Sequence, residues 1–216
     1  MSTKDDQETR RRVLDAAAQL FAERGYHEVT IRDICSAAQA NVAAVNYYFR
    51  DKWSLYEQLI RKVIEGAKRM QAAAHASSPG TPPEERLRSY IHNFLKIGLT
   101  PAEGKNSWAG KLMGREFVDP TAGLDLFINE VIRPNSQRVG ELISELTGLP
   151  PEDPRVGACV GSVQTQMVGY FGPVIKRIAP GLEFTPEVIA GVADHITEFS
   201  LAGIRAVAQQ AAEVKK

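Results

Sequence analysis

Cysteine is scarce in this chain: of 216 residues only Cys35 and Cys159 carry a thiol, and they lie far apart without metal-ligand spacing. That excludes a disulfide framework and a C-x-x-C redox or metal site, and leaves the expectation of buried free thiols in a reducing cytosol. No apolar run approaches the roughly 20 residues that a membrane-spanning helix needs. The opening from Met1 to Arg12 is polar and unlike a secretory leader, so a cytoplasmic protein with no membrane partner is expected. Net charge is lacking too, with 26 basic residues against 26 acidic ones. Residues 1–62 hold ten Lys/Arg and nine Asp/Glu, so no strong basic field advertises nucleic acid. The histidines (His27, His75, His92 and His195) are scattered, with no H-E-x-x-H, no G-x-S-x-G elbow and no glycine-rich phosphate cradle. An enzyme is therefore not expected, nor any cofactor or metal. Nowhere does hydrophobicity alternate with a sustained period of two, which argues against a sheet.

What is present is helical periodicity, in a chain 44% hydrophobic and able to bury a sizeable core. Val13, Leu14, Ala17, Leu20 and Phe21 recur at intervals of three and four, predicting a first helix from about Glu8 to Arg24 with Gly25 as its left-handed stop. Residues 1–7 are polar and expected to be disordered. Thr30-Ile31-Arg32-Asp33 forms a capping box for a two-turn helix to about Ala38. Asn41 is a good N-cap for a second short helix, Val42 to about Tyr48, and Asp51 for a third of about 25 residues, roughly 37 Å long. Two short helices joined by a tight turn are the geometry of helix-turn-helix recognition, in which the second helix enters the major groove. Lys52 lies at a helix start, where it opposes the macrodipole; a phosphate would be held by that lysine together with the free helical amides.

Ile34, Ala38, Asn41, the run Val45-Asn46-Tyr47-Tyr48-Phe49, Lys52 and Leu55 resemble the DNA-binding head of the TetR family of bacterial transcription regulators. The form N-V-A-A-V-N-Y-Y-F is similar to the subgroup with a CerR/CecR-type C-terminal domain. Weaker similarity continues through Leu112 to Glu116, Pro120-Thr121 and Arg133-Pro134. Gln39 stands where most of the family has glycine, and Asn46 where most has a phosphate-contacting tyrosine. The resemblance implies an all-α protein of about nine helices: a DNA-binding head over residues 1–55 and a regulatory and dimerisation body over 56–216. It implies a regulator, expected to be a repressor, that binds palindromic double-stranded operator DNA as a homodimer and is released by a small-molecule effector. The DNA-facing residues are then Thr30, Arg32, Asn41, Val42, Ala43, Asn46, Tyr47, Tyr48 and Lys52. A rival reading keeps the DNA-bound head but gives the body a protein to dock and no small molecule to sense.

Body helices are marked by a polar N-cap residue followed by proline, at Thr81-Pro82, Asp119-Pro120, Asp153-Pro154 and Thr185-Pro186. These predict helices near 82–100, 120–148, 154–178 and 186–213, with a shorter one from Trp108 to Phe117. Thr81 has Glu84 three residues on, a second capping box. Pro134 and Pro173 fall inside predicted helices and should kink them. Glycines at 157, 161 and 203, with Val192, Ile196 and Phe199, suggest closely approaching helices, which the resemblance places in a four-helix dimer interface. Phe94, Trp108, Met113, Arg115, Phe117, Met167 and Tyr170 are the candidates for an effector pocket. Arg115 and Glu116 project about 100° apart, so one can point into a cavity and the other to solvent or an ion pair; an arginine in the cavity would orient an anionic or polar ligand.

Overall fold

The computed structural model describes residues 3–100, 108–171 and 173–214. It is helical throughout, with no strand among the described residues. The order is α1 (Thr3–Arg24), α2 (Ile31–Ala38), α3 (Val42–Phe49), α4 (Lys52–Ala74), α5 (Pro83–Leu99), α6 (Trp108–Val118), α7 (Ala122–Phe127), a π-helical turn (Ile128–Ile132), α8 (Arg133–Thr147), α9 (Pro154–Val168), α10 (Pro173–Ile178) and α11 (Pro186–Val214). Because α7, the π turn and α8 run on without a break, and α9 with α10 fills one predicted helix, about nine helical runs result among the described residues, as expected.

Several boundaries moved, each for a local reason. The first helix begins at Thr3 and not Glu8, so residues 3–7 are helical. Asp5 and Asp6 sit in its first turn, where negative charge complements the macrodipole, and the Asp6 carboxylate accepts from the Tyr48 hydroxyl at 2.8 Å. Helix α5 starts one residue late, with Pro82 at the N-cap and no side-chain cap; the Thr81 hydroxyl instead donates to the Ser78 carbonyl at 2.8 Å. The cap of α7 is Thr121 and not Asp119. The buried Glu116 carboxylate binds the Thr121 amide and hydroxyl and so sets where that helix can begin. Ahead of Pro134 the helix passes through a π turn, a wider register that carries the chain past a residue with no amide to donate. The predicted long helix is divided, α9 ending at Val168 and α10 starting at Pro173. The caps at Asp153 and Thr185, and Gly25 with φ of +85°, stand where the sequence puts them.

Two compact units emerge: residues 1–67 with 104–131, and residues 68–103 with 132–216. The first takes in the head helices, most of α4, and α6 and α7, so it is larger than the 1–55 head; the boundary lies inside α4. Its core is built on Val13, Phe21, Ile34, Val45, Phe49, Leu55, Tyr56 and Leu59. The core of the second comprises Leu87, Tyr90, Leu95, Val139, Ile143, Val156, Val163, Met167 and Ile196. Each is a side-chain-packed helical layer of the kind that amphipathic helices form to bury one face.

Candidate nucleic-acid interface and regulatory residues

The second helix of the pair, α3, is held by its back. Val45 is fully buried and Phe49 nearly so, both in the first unit's core. Residues one and two positions away then necessarily face elsewhere: Asn46 and Tyr47 are exposed, Tyr47 to 79%. Val42 and Ala43 are exposed at the same helix's start, and the Asn41 side chain caps it by accepting from the Ala44 amide at 2.7 Å. The preceding helix is set by the capping box as predicted: Thr30 Oγ1 accepts from the Asp33 amide at 3.2 Å and the Thr30 amide donates to Asp33 Oδ2 at 2.8 Å. Arg32 is exposed beside it.

Three placements differ from a simple solvent-facing row. Tyr48 is half-buried, its hydroxyl engaged by Asp6. Lys52 is also half-buried, with Nζ 4.3 Å from the centroid of the Tyr26 ring, and burial lowers its affinity for the proton. Of the Arg10-Arg11-Arg12 run, Arg10 lies over Phe49 and donates to Gln58 at 2.7 Å, and Arg11 pairs with Glu8 at 2.9 Å. The turn between the two helices is closed by Gln39 with φ of +50° and ψ of +47°. That left-handed conformation is the one for which glycine is favoured, and it ends α2 at Ala38.

The seven effector candidates do not lie in one unit. Trp108 and Met113 pack into the first unit's core, half-buried and buried respectively. Arg115 is exposed and donates to the Glu23 carbonyl at the end of α1, while Phe117 is 61% exposed. Its neighbour Glu116 is the inward member of the pair, 1% exposed, accepting from the Tyr56 hydroxyl at 2.5 Å. In the second unit Met167 is fully buried, Phe94 packs against Tyr90 and Phe171 at 5.9 and 5.5 Å between centroids, and Tyr170 meets Phe184. A polar chain missed in the sequence crosses that unit: His75, Asn135 and Tyr90, each within 2.9 Å of the next. Its one visible trace was an asparagine on the apolar side of a helix.

Of the interface candidates, Ile196 is 2% exposed inside its own chain and Val192 packs on the same core. Gly157, Gly161 and Gly203 are exposed, and a Cβ built on any of them would meet nothing within 4 Å. Their lack of a side chain is thus not required by a neighbour in the chain. Phe199 is 64% exposed beside an apolar groove of about 290 Å³ between α9 and α11, lined in part by Ala158, Cys159, Val163 and Ile204. Both thiols are free; Cys35 is buried as expected, whereas Cys159 is partly exposed.

This geometry matches known proteins over both units. Residues 13–59 match the family of bacterial regulatory proteins of the tetR type, and residues 83–204 match the C-terminal domain of the HTH-type transcriptional dual regulator CecR. The chain belongs to the TetR family. CecR of Shigella flexneri is 32% identical over 165 residues, covering 72% of this chain and 72% of CecR. YttP of Bacillus subtilis is 33% identical over 104 residues, 45% of this chain and 47% of YttP, so the chain spans about half of that relative's length. Among solved structures, a TetR-like transcriptional regulator from Rhodococcus sp. RHA1 has a TM-score of 0.59 at 22% identity, covering 90% of this chain and 96% of its own. AibR, solved in complex with isovaleryl coenzyme A and operator DNA, has a TM-score of 0.62 at 18% identity, covering 88% and 97%. At those identities the likeness is one of fold. The TetR-family chain is a DNA-binding transcriptional regulator, and its relatives are regulators, not enzymes. Among the described residues no helix is long and apolar enough to cross a membrane, and no cluster of His, Cys, Asp or Glu could hold a metal ion.

Proposed function

We propose that this regulator is a repressor that binds a palindromic operator as a homodimer and is released by a small organic effector bound in the C-terminal body. The observation that carries the DNA half is α3: buried along Val45 and Phe49, open at Asn46 and Tyr47, and joined to α2 by a tight turn. Asn46 is suited to a bidentate contact with adenine, and Tyr47 to a phosphate or a thymine methyl. Thr30, Arg32, Asn41, Val42, Ala43, Tyr48 and Lys52 frame that contact, with Lys52 on a phosphate. Two heads on a two-fold axis would read half-sites about 34 Å apart. The dimer reading is supported by the open glycines of α9 and α11 and by Phe199 beside their groove. Gly161→Leu should overpack such an interface, at roughly 1–3 kcal/mol.

Effector control is supported by the aromatic lining of the second unit at Phe94 and Tyr170 and by the uninterrupted α4, which contributes to both units. AibR, crystallised with an acyl-coenzyme A and operator DNA together, offers a precedent for the same fold. A ligand that favours one conformation lowers operator affinity only by its differential binding, typically about 1–3 kcal/mol. The experiment has two arms. Genomic fragments bound by the wild type are recovered and then offered to Asn46→Ala/Tyr47→Ala, which should lose the specific sites. Sedimentation of DNA-free protein should give a dimer. Full operator affinity in the double variant, or a monomer at micromolar concentration, would overturn the corresponding half.

A further inference from the structure

The second unit holds a polar recess of about 380 Å³ where the chain leaving α4 meets α5 and α8. His75, Ser77, Arg86, Arg138 and Glu141 line it, with Leu142 and Ala72 as its apolar wall. We propose that this recess binds an anionic group, a carboxylate or a phosphate, of the effector; its use in control rests on the effector reading given above. Two arginines, Arg86 and Arg138, line one small space. Arg86 donates to Glu145 at 2.7 Å, which occupies one of its five N–H groups, whereas Arg138 enters no ion pair among the described residues. Glu141, exposed three residues after Arg138, is the acidic group at the recess, and an anion must compete with it and with Glu145 for the guanidiniums. Planar forks of this kind are suited to carboxylate and phosphate, and Ser77 adds a hydroxyl.

The back of the recess is wired into the core. Asn135 is 7% exposed and its Nδ2 donates to the Tyr90 hydroxyl at 2.9 Å. That fixes the amide so that Oδ1 faces His75 Nε2, also at 2.9 Å, and Nε2 therefore carries the proton. Nδ1 is left as the nitrogen that titrates. The imidazole is stacked on Tyr90, with centroids 4.4 Å apart. Burial first, and then the charges of Arg138 and Arg86, hold His75 below its ordinary value despite the bond to Asn135, so the ring is neutral near pH 7. An anion lying between the two arginines offsets their repulsion and lets Nδ1 take up a proton. Anion binding is thereby linked to proton uptake and tightens as the pH falls. Tyr90 spans the core from the recess to Phe94, which gives the bound group a packed route into the second unit.

The test uses the full chain, with inorganic phosphate and acetate as separate probes at constant ionic strength. The His75 ring resonances, assigned with His75→Gln, are titrated against pH. Either anion should raise the His75 pKa and the Tm, and the anion that does so at lower concentration identifies the group. Arg138→Gln should weaken that response about tenfold, the loss expected for one charged hydrogen bond, while Arg177→Gln, an exposed arginine outside the recess, leaves it unchanged. No movement of His75 with either probe, or equal responses in the two arginine variants, overturns the site. Binding that Arg138→Gln abolishes, with operator affinity untouched by it, keeps the anion site and overturns its link to control. A compound that releases operator equally from wild type and Arg138→Gln overturns this site and leaves the effector reading standing.

Discussion

Glu116 offers the sharpest stability test, because its environment can be counted bond by bond. It is 1% exposed, and its two oxygens accept from the Tyr56 hydroxyl at 2.5 Å, the Thr121 hydroxyl at 2.8 Å and the Thr121 amide at 3.1 Å. Tyr56 is 1% exposed and lies in an aromatic cluster with Phe21 and Tyr26 at 4.9 and 4.8 Å. Burial, then the hydrogen bond to Glu116, pushes its phenol far above the usual range, so the hydroxyl donates at any ordinary pH. Tyr56→Phe keeps the ring and removes one donor to a charged acceptor, which should cost about 1.5–3 kcal/mol. Glu116→Ala leaves the Tyr56 and Thr121 donors without their acceptor and opens a small void, so about 3–5 kcal/mol is expected. The assay is urea unfolding read by tryptophan fluorescence. Trp53 sits 6.0 Å from the Tyr56 ring, and Trp108 packs into the same core, so the signal belongs to the first unit. The double variant should fall well short of additive, by at least about 0.5 kcal/mol, because the two residues share one bond. A Tyr56→Phe cost below about 0.5 kcal/mol, or full additivity, would refute the assignment of a bond to a charged acceptor at this site.

Gln39→Gly should raise the urea midpoint of the first unit, by about 1 kcal/mol, since the φ of +50° strains a residue with a Cβ; an unchanged or lower midpoint would contradict this. Lys52→Ala should weaken binding to specific and nonspecific DNA alike and reduce the salt slope by about one, as measured by titrations at several salt concentrations. Asp153 is held at about 2, from an ordinary 3.8, by the side chain and then the backbone amide of Arg155. Its contribution to stability is therefore complete above about pH 4 and fades as the pH falls towards 2. Asp153→Asn keeps a cap, so its deficit relative to wild type should shrink on acidification in thermal melts between those limits. A deficit constant with pH would be the wrong outcome for that linkage.

The local grammar of this chain was legible because it acts over a few residues. Gly25 as a helix stop, the Thr30–Asp33 capping box, Asn41 and Asp153 as caps and the apolar intervals of α1 and α4 each depend on sterics or on hydrogen bonds between near neighbours. So does the open face of α3, since burying Val45 and Phe49 leaves Asn46 and Tyr47 outside whatever the fold beyond. Tertiary structure decided the rest, because it depends on partners distant in sequence. Whether Arg115 or Glu116 turned inward hung on Tyr56, sixty positions away, and that choice then moved the cap of α7 from Asp119 to Thr121. Tyr48 was drawn to Asp6, in the first turn of a helix that starts at Thr3. His75, Asn135 and Tyr90 joined across three segments that no periodicity relates, because burial makes each polar group seek a partner wherever the packing brings one.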